Sequence, residues 1–301
     1  MSEFEMLDLS VNGTSLRVGR HGNGPRSVLA LHGLTGSHVS MSAIGRHFDD
    51  GWTYLAPDLR GRGASAAAPG PYGLDVHAGD AIAILDQLGV ERVALIGHSM
   101  GALISPLIAH EFPERIESLT LIDGGLVLPV ALPEGVTVEA LSEQLLGPLV
   151  ENLERTFETP EQYMDQWRAY PGLGGIWNAE FEARFSYDMV GEPGSIRTRI
   201  SADAVRADWA DAWANIDRSV AALESVRCPV HLFRAPRGLL NQPEPMVSDA
   251  LVSEWSRRLP QLVEKMIEDT NHLTLPVLGR SSRAIAATVE SLVVTSGTAV
   301  R

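Results

Sequence analysis

Residues 95–103, LIGHSMGAL, place one serine between two glycines where an apolar stretch meets a helical pattern. Gly97 to Gly101 match G-x-S-x-G, with a strand predicted before them and a helix after them. In such a turn the serine backbone is strained, and the neighbouring chains pass so close that side chains at positions 97 and 101 would collide. The hydroxyl of Ser99 is then exposed at a helix N-terminus, which favours developing negative charge. We therefore predict that Ser99 is a nucleophile; the alternative is a plain Gly/Ser turn.

Short apolar strands alternate with helical patterns on both sides of this turn. Before it, the sequence predicts strands at residues 6–11, 15–20, 27–31, 53–57 and 92–96, and a helix at 75–88 that Gly89 ends. After it, helices are predicted at 100–111, near 246–259 and at 281–293, and strands at 118–122, 230–233 and 262–267. Several strands are almost wholly apolar, as in sheets covered by helices on both faces. The alternation indicates an α/β fold.

Residues 126–226 have a different character, because strand-like runs vanish and helical patterns rich in aromatic residues take their place. We predict one α/β domain in two pieces, residues 1–125 and 227–301, with residues 126–226 as a helical insertion between them. Most of the aromatic rings are expected to pack inside the insertion, and those facing a cleft would line an apolar pocket. These rings belong to Phe157, Tyr163, Trp167, Tyr170, Trp177, Phe181, Phe185, Tyr187, Trp209 and Trp213.

Composition narrows the classes of function. A net charge of −14 argues against a nucleic-acid partner, which needs a basic face. No stretch approaches the roughly 18 to 20 apolar residues of a membrane helix, and the N-terminus lacks the apolar region of a secretory signal. The single cysteine, Cys228, excludes an internal disulfide framework and fits a reducing compartment. We expect a cytoplasmic protein.

A serine hydroxyl needs a base, and His272 is placed to be that base. It lies between the last predicted strand and the last predicted helix, on a loop at the sheet edge where Ser99 emerges. His98 is next to Ser99 along the chain, so its side chain points elsewhere and we interpret it as a packing or positioning group. Six further histidines lack comparable placement and are interpreted as structural or solvated: His21, His38, His47, His77, His110 and His231.

Two backbone N–H groups are expected to stabilise the oxyanion of an acyl-transfer reaction. One is that of Met100, directly after the nucleophile. The other belongs to the loop after the third strand, LHGLTG, where Gly33 lets the chain turn close to the site. Leu34 is our prediction for this second donor; the alternative is an ordinary glycine-rich turn.

Together, HGLTG, the stretch DLRGRGAS from Asp58, GHSMGA and the late His272 resemble the α/β-hydrolase superfamily, and within it the lidded, esterase-like serine hydrolases. The resemblance covers nearly the whole chain and is weakest over the insertion. It implies an eight-stranded, mostly parallel sheet flanked by helices, a helical cap between strands six and seven, no cofactor and no metal. It also implies a triad in the order serine, acid, histidine, and a structural turn at Asp58 and Arg60.

The acid is the point at which this chain departs from the family. Members usually carry an aspartate a few residues past the seventh strand, but here Gly238 and Asn241 occupy that region and the next carboxylate is Glu244. Asp123 stands at the tip of the sixth strand, from which some members take their acid. The acid fixes the histidine tautomer and stabilises the imidazolium, which either strand end can satisfy. We predict Asp123, with Glu244 as the runner-up and a carboxylate that caps the glycine turn as a further alternative for Asp123.

These residues favour a serine hydrolase that cleaves a carboxylic ester or lactone of a small, largely apolar substrate through an acyl-enzyme. On the same fold, the serine could serve C–C bond hydrolysis or peracid formation. Aspartate-nucleophile relatives, the haloalkane dehalogenases and epoxide hydrolases, are disfavoured because residue 99 is serine. A hypothesis of another class is a non-catalytic receptor that binds a small apolar ligand under its lid.

Overall fold

The computed structural model of the protein describes residues 4–129, 137–173 and 175–297. Each of the three segments predicted from the sequence includes positions outside the described residues: 1–3 in the first, 130–136 and 174 in the second, and 298–301 in the third. The strands are β1 (Glu5–Val11), β2 (Thr14–His21), β3 (Arg26–Leu31), β4 (Trp52–Pro57), β5 (Val93–His98), β6 (Ile116–Ile122), β7 (Met189–Val190), β8 (Arg197–Thr198), β9 (Val230–Arg234) and β10 (Leu262–Met266). The helices are α1 (Ser42–Gly45), α2 (Leu74–Gln87), α3 (Met100–Glu111), α4 (Val138–Leu153), α5 (Pro160–Arg168), α6 (Ala179–Asp188), α7 (Ala202–Ala214), α8 (Ile216–Ser225), α9 (Asp249–Arg258) and α10 (Gly279–Gly297).

Eight of these strands form one sheet in the order β1-β2-β4-β3-β5-β6-β9-β10. The pairings of β2 with β1 and with β4 are antiparallel, and the other pairings in this sheet are parallel. Asn12 and Gly13 join β1 to β2 and both have positive φ, 45° and 78°, as a tight hairpin turn requires. The parallel central strands bury both faces, because helices cover the sheet on each side.

Apolar side chains pack on the two faces of the sheet in separate clusters. The larger cluster joins the sheet to α2, α3, α8 and α9, and includes Leu95, Leu107 and the fully buried Trp255. The smaller cluster joins the opposite face to α1 and α10, and includes Trp52 and Ile285. None of the helices in the described ranges combines the length and apolarity that a membrane crossing requires.

Strand β5 is longer than its sequence pattern predicts, and this extension positions the turn that follows. The prediction ended at Ile96, but Gly97 and His98 still pair with Leu121 and Ile122 of β6. Pairing up to His98 leaves no flexible linker before Ser99. The turn is therefore anchored directly to the centre of the sheet.

Helices α4 to α8 and the short hairpin β7–β8 lie between β6 and β9 along the chain. A cluster of aromatic and apolar side chains holds α5 and α6 together, and a second one joins α4 to α7. Helix α8 differs, since Val220 and Leu223 belong to the large cluster of the sheet. We call residues 126–226 the inserted segment. Its contacts with loops of the sheet determine the surroundings of the site described next.

Candidate active site

The turn at Ser99 is tight and strained. Ser99 has φ 54° and ψ −114°, a left-handed backbone conformation that a non-glycine residue rarely adopts. A Cβ atom at Gly97 would lie 2.3 Å from the carbonyl oxygen of Gly101, and one at Gly101 would lie 2.2 Å from that of Leu31. These approaches show why both flanking residues are glycine. The N–H of Ser99 donates to the carbonyl of Ile122 at 3.1 Å, so the strained residue is held by the neighbouring strand.

His272 and Asp123 are brought together at the same edge of the sheet. Nδ1 of His272 lies 2.8 Å from Oδ2 of Asp123, and both side chains are buried. The second carboxylate oxygen, Oδ1, accepts the N–H of Ala235 at 3.1 Å. Because an ionised carboxylate only accepts hydrogen bonds, Nδ1 carries the ring proton and donates a hydrogen bond to Asp123, and Nε2 is left as the acceptor. This is the orientation that a general base for a serine requires.

The structure places the runner-up acid elsewhere. Glu244 is exposed. Asn241, in the region where the family usually has its aspartate, has φ 63° and accepts the Nε–H of Arg237 at 2.8 Å through its side-chain oxygen. Asp123 has φ 45°, and a Cβ atom at the next residue, Gly124, would lie 2.9 Å from the carbonyl oxygen of Ser99. Asp123 is thus the carboxylate in contact with His272.

His98 contacts the backbone of His272. Its Nε2 lies 3.0 Å from the carbonyl oxygen of His272, so Nε2–H donates there. The two rings are 4.8 Å apart between centroids. Burial, with a contribution from the neighbouring His272, lowers the pKa of His98 well below its ordinary value. His98 is therefore a neutral group that holds the His272 backbone in place.

The loop after β3 passes directly beside the serine. A Cβ atom at Gly33 would lie 3.0 Å from Cβ and 3.5 Å from Oγ of Ser99. Leu34 follows Gly33, and Met100 is the first residue of α3. Neither the N–H of Leu34 nor that of Met100 donates a hydrogen bond to any residue the structure describes. Two unused N–H groups therefore belong to the residues that follow Gly33 and Ser99, and they remain the predicted oxyanion donors.

His32 fixes the orientation of this loop. Its Nε2 accepts the N–H of Leu59 at 3.0 Å, so Nδ1 carries the proton and donates to the carbonyl of Gly33 at 2.8 Å. Burial lowers the pKa of His32 to about 3, which keeps the ring neutral and this tautomer fixed. The N–H of Gly36 donates to the same carbonyl at 2.9 Å. The carbonyl of Gly33 and the N–H of Leu34 belong to the same peptide group. The two hydrogen bonds to the carbonyl therefore also fix the direction of the Leu34 N–H.

Comparison with known proteins adds to this geometry. The family model described as the alpha/beta hydrolase fold matches residues 26–180, just over half of the chain. The chain belongs to the α/β-hydrolase family. The resemblance and the fold class inferred from the sequence, a mostly parallel eight-stranded sheet flanked by helices, are therefore confirmed.

Relatives of several activities share parts of this α/β-hydrolase chain. Epoxide hydrolase 2 of Siraitia grosvenorii is 36% identical over 126 residues, which cover 40% of this chain and 38% of that protein. 3-Oxoadipate enol-lactonase 2 of Acinetobacter baylyi is 28% identical over 162 residues, which cover 53% of this chain and 61% of that protein. The matches thus span 38% to 61% of the length of these curated relatives.

Solved structures resemble the chain over a much greater length. The crystal structure of E-2-(acetamidomethylene)succinate hydrolase superposes with a TM-score of 0.76 and 24% identity. It covers 96% of this chain and 100% of that one. At this identity, the likeness concerns the fold.

The turn after β4 is a structural unit of the hydrolase fold in this chain. Asp58 is fully buried, and its Oδ1 accepts the N–H and the Nδ1–H of His38 at 2.7 and 2.8 Å. Its Oδ2 accepts the hydroxyl of Tyr187 at 2.5 Å. Arg60 pairs with the buried Asp80. Asp58 thus connects the sheet to α6 of the inserted segment, and neither Asp58 nor Arg60 contacts the Ser99 turn through these bonds.

Aromatic side chains of the inserted segment form a cluster that reaches the histidine loop. Val277 belongs to this cluster, and Leu273, next to His272, packs against it. Trp167 and Phe185 stack with their ring centroids 4.3 Å apart. The side-chain amide of Asn271 donates to the carbonyl of Gly172 at 2.8 Å. Most of the predicted aromatic residues therefore pack among themselves, directly over the loop that carries His272.

Two charged residues on the buried face of α6 were not singled out from the sequence. Phe181, Arg184, Phe185 and Asp188 follow the i, i+3, i+4, i+7 spacing, and all four are buried. The signal was present, since a charge on an otherwise aromatic stripe points to a partner or a ligand. Burial raises the pKa of Asp188 to about 7 and outweighs the opposing effect of Arg184.

The raised pKa of Asp188 predicts a pH-dependent stability. The folded chain binds this proton more tightly than the unfolded chain, so the free energy of unfolding falls as pH rises from about 4 to about 7 and then levels off. At 1.36 kcal/mol per pKa unit, the loss is about 4 kcal/mol in total. Asp188→Asn removes this loss. Between pH 4 and pH 8, we therefore expect the free energy of unfolding of the variant to rise by up to about 4 kcal/mol relative to that of the natural protein.

Urea unfolding of both proteins at pH 4 and pH 8 measures this difference. Asp203→Asn is the matched control, because Asp203 lies on α7 with its side chain 88% exposed, and its replacement should produce no pH-dependent difference. An equal effect of Asp188→Asn at both pH values contradicts the prediction.

Proposed function

We propose that this chain is a serine hydrolase that cleaves a carboxylic ester or lactone of a small, largely apolar substrate through an acyl-enzyme intermediate. The observation that carries the proposal is the 2.8 Å contact between His272 Nδ1 and Asp123, at the edge of the sheet where the strained turn presents Ser99. The relative named as an enol-lactonase supports a lactone as one form of the substrate. The relatives named as epoxide hydrolases share the fold, but the serine at position 99 favours acyl transfer.

The proposed reaction has two halves. In the first, Oγ of Ser99 attacks the substrate carbonyl while Nε2 of His272 takes its proton, and the oxyanion accepts hydrogen bonds from the N–H groups of Leu34 and Met100. The imidazolium then returns the proton to the leaving alkoxide, so an alcohol departs and an acyl-Ser99 ester remains. In the second half, water gives its proton to His272 and attacks the acyl ester, which releases the acid and restores the serine.

This reaction needs no cofactor, and Asp123 contributes by holding His272 in the required tautomer and stabilising the imidazolium. The α5–α6 aromatic cluster over the histidine loop suits an apolar substrate, and we propose that the inserted segment serves as the cap of the site. A cytoplasmic location remains part of the proposal, on the basis of the single cysteine, Cys228.

Labelling with a fluorophosphonate tests this function. A base-activated serine displaces fluoride, so we expect one phosphonyl group per chain, located on Ser99 by peptide mass spectrometry. His272→Gln is the control, since loss of the base should slow labelling at least about 10²-fold. An unlabelled Ser99, with no turnover of p-nitrophenyl esters of two to eight carbons, would overturn the hydrolase proposal; tight binding of an apolar ligand would then favour a receptor.

A further inference from the structure

Arg184 is a buried cation that lacks an anionic partner. Its side chain lies in the interior with 8% of the residue exposed. Of the five N–H donors of a guanidinium, Nη2 donates to the carbonyl of Thr35 at 3.2 Å, and Nε has no partner. Within the described part of the chain, no carboxylate oxygen lies within 4.0 Å of this guanidinium. A buried charge in this state is costly unless something else pairs with it.

Asp188, one turn later on α6, does not fill this role. Its oxygens lie beyond 4.0 Å from the guanidinium and its hydrogen-bonding neighbour is Ser37, so the two charges act on each other only across that longer distance. Burial raises the pKa of Asp188 to about 7, so a large share of the carboxyl groups is neutral near that pH. The positive charge of Arg184 is therefore at most partly compensated by the protein.

Arg184 is close to the reacting groups. Thr35, which accepts its hydrogen bond, follows Leu34, one of the two predicted oxyanion donors. The charge of Arg184 contributes to the lowered pKa of His98, after the larger effect of burial. The aromatic cluster that includes Phe185 also contacts Leu273, beside His272. The guanidinium thus lies beside the oxyanion loop, and its own helix packs in the cluster that contacts the histidine loop.

Other polar atoms around Arg184 also lack partners. The hydroxyl of Tyr163 and Nε1 of Trp167 are buried, and neither makes a hydrogen bond within 3.5 Å to a described residue, although the two groups lie near each other. Burial raises the pKa of Tyr163 to about 12, and the charges of Asp188 and Arg184 both act on this hydroxyl. Buried polar groups in folded proteins are nearly always paired, so the incompletely paired donors of Arg184, Tyr163 and Trp167 indicate a ligand or bound water.

We propose that Arg184 binds a carboxylate of the substrate, so that the ester or lactone cleaved by Ser99 carries a free acid group. This inference rests on the proposed function and narrows its substrate class. A planar guanidinium pairs with a carboxylate through two parallel N–H···O bonds, and in a buried site such a pair is strong and orienting. The surrounding rings exclude water from the pair, and the carbonyl of Thr35 keeps the guanidinium beside the oxyanion loop.

Matched esters measure the selectivity. p-Nitrophenyl hydrogen glutarate, adipate and pimelate are compared with their neutral methyl-ester counterparts, after subtraction of spontaneous hydrolysis. We expect kcat/KM to favour the acid of the best-fitting length, and Arg184→Met to reduce the ratio of acid to neutral kcat/KM about 10²-fold. Arg184→Lys should retain part of the ratio, since a lysine keeps the positive charge but cannot form the two parallel N–H···O bonds of a guanidinium. Arg206→Met is the control, because Arg206 lies on α7 with its side chain 48% exposed, and the ratio should not change.

A second measurement does not depend on catalysis. We expect adipate at millimolar concentration to raise the Tm of the natural protein and of Ser99→Ala. It should have no effect on the Tm of Arg184→Met. Dimethyl adipate, which lacks the carboxylates, should not raise the Tm of the natural protein or of Ser99→Ala. Equal stabilisation by inorganic phosphate would overturn the carboxylate assignment in favour of a general anion site. If Ser99 is labelled by fluorophosphonate but neither preference for acids nor adipate-dependent stabilisation is found, the proposal for Arg184 fails while the hydrolase function stands. If adipate stabilises the chain but Ser99 stays unlabelled, the carboxylate site stands and the hydrolase function fails.

Discussion

Replacing Ser99 by alanine is expected to reduce kcat for ester hydrolysis by about 10⁴- to 10⁶-fold. The change removes the atom that forms the acyl-enzyme, so only binding and the two oxyanion donors still act on the substrate. Alanine accommodates the strained backbone as well as serine does, because both carry a single Cβ atom at φ 54°. The rate loss should therefore come without loss of the fold.

Steady-state hydrolysis of p-nitrophenyl esters and thermal unfolding, measured on the same preparations, separate these effects. Ser118→Ala is the matched control, since Ser118 is a buried serine on β6 whose hydroxyl has no hydrogen-bond partner among the described residues. It should keep near-normal activity. The same Tm with a 10⁴-fold rate loss supports the nucleophile, whereas activity of Ser99→Ala within tenfold of the natural protein would remove Ser99 from the mechanism.

The parts of the molecule that are predictable from sequence are those in which local patterns decide the structure. Strand β5 is a run of apolar residues, and the glycines at 97 and 101 are required by close backbone contacts within a few residues of one another. The turn at Ser99 can therefore be predicted from the nine residues 95–103 alone. The extension of strand β5 by Gly97 and His98 does not follow from the local pattern, because it depends on pairing with β6, a strand about 20 residues further along the chain.

The acid is harder to predict, because two carboxylates follow strands that end at the same edge of the sheet. The spatial order β5-β6-β9-β10 places Asp123, after β6, next to the strand that carries Ser99. Whether its side chain reaches the histidine depends on packing after β6, where Asp123 adopts φ 45° and Gly124 lies against Ser99. A single sequence contains no direct signal for this contact, so Glu244 could not be eliminated as the alternative acid.

Buried charges in the inserted segment show a similar limit. Asp208 on α7 pairs with Arg62 and with Nε2 of His77, at 2.5 and 2.9 Å, across more than a hundred residues of sequence. Arg62 in turn donates from Nε to the carbonyl of Leu34 at 3.0 Å. The charges can be read from the sequence, but which of them meet a partner and which, like Arg184, remain unpaired is decided by the packing of the inserted segment on the sheet.

Asp123→Asn should reduce kcat by about 10⁴-fold, the second largest effect expected here. In the natural protein, Oδ2 of Asp123 accepts a hydrogen bond from Nδ1–H of His272 at 2.8 Å. An asparagine side chain can meet the ring with its NH₂ group instead, which leaves Nδ1 as the acceptor and moves the ring proton to Nε2. His272 would then be unable to accept the proton of Ser99, and it would also lose the negative charge that stabilises the imidazolium.

Glu244→Gln is the matched comparison, because it makes the same change from carboxylate to amide at the exposed runner-up. We expect its kcat to stay within about twofold, since surface substitutions of this kind rarely disturb a distant site. Both variants should unfold near the Tm of the natural protein, as each replaces an oxygen by an NH₂ group of equal size. A large loss in Glu244→Gln with a near-normal Asp123→Asn would move the acid to the loop after β9. If neither variant lost activity, His272 would work without a carboxylate partner, and its 2.8 Å contact with Asp123 would be a structural bond.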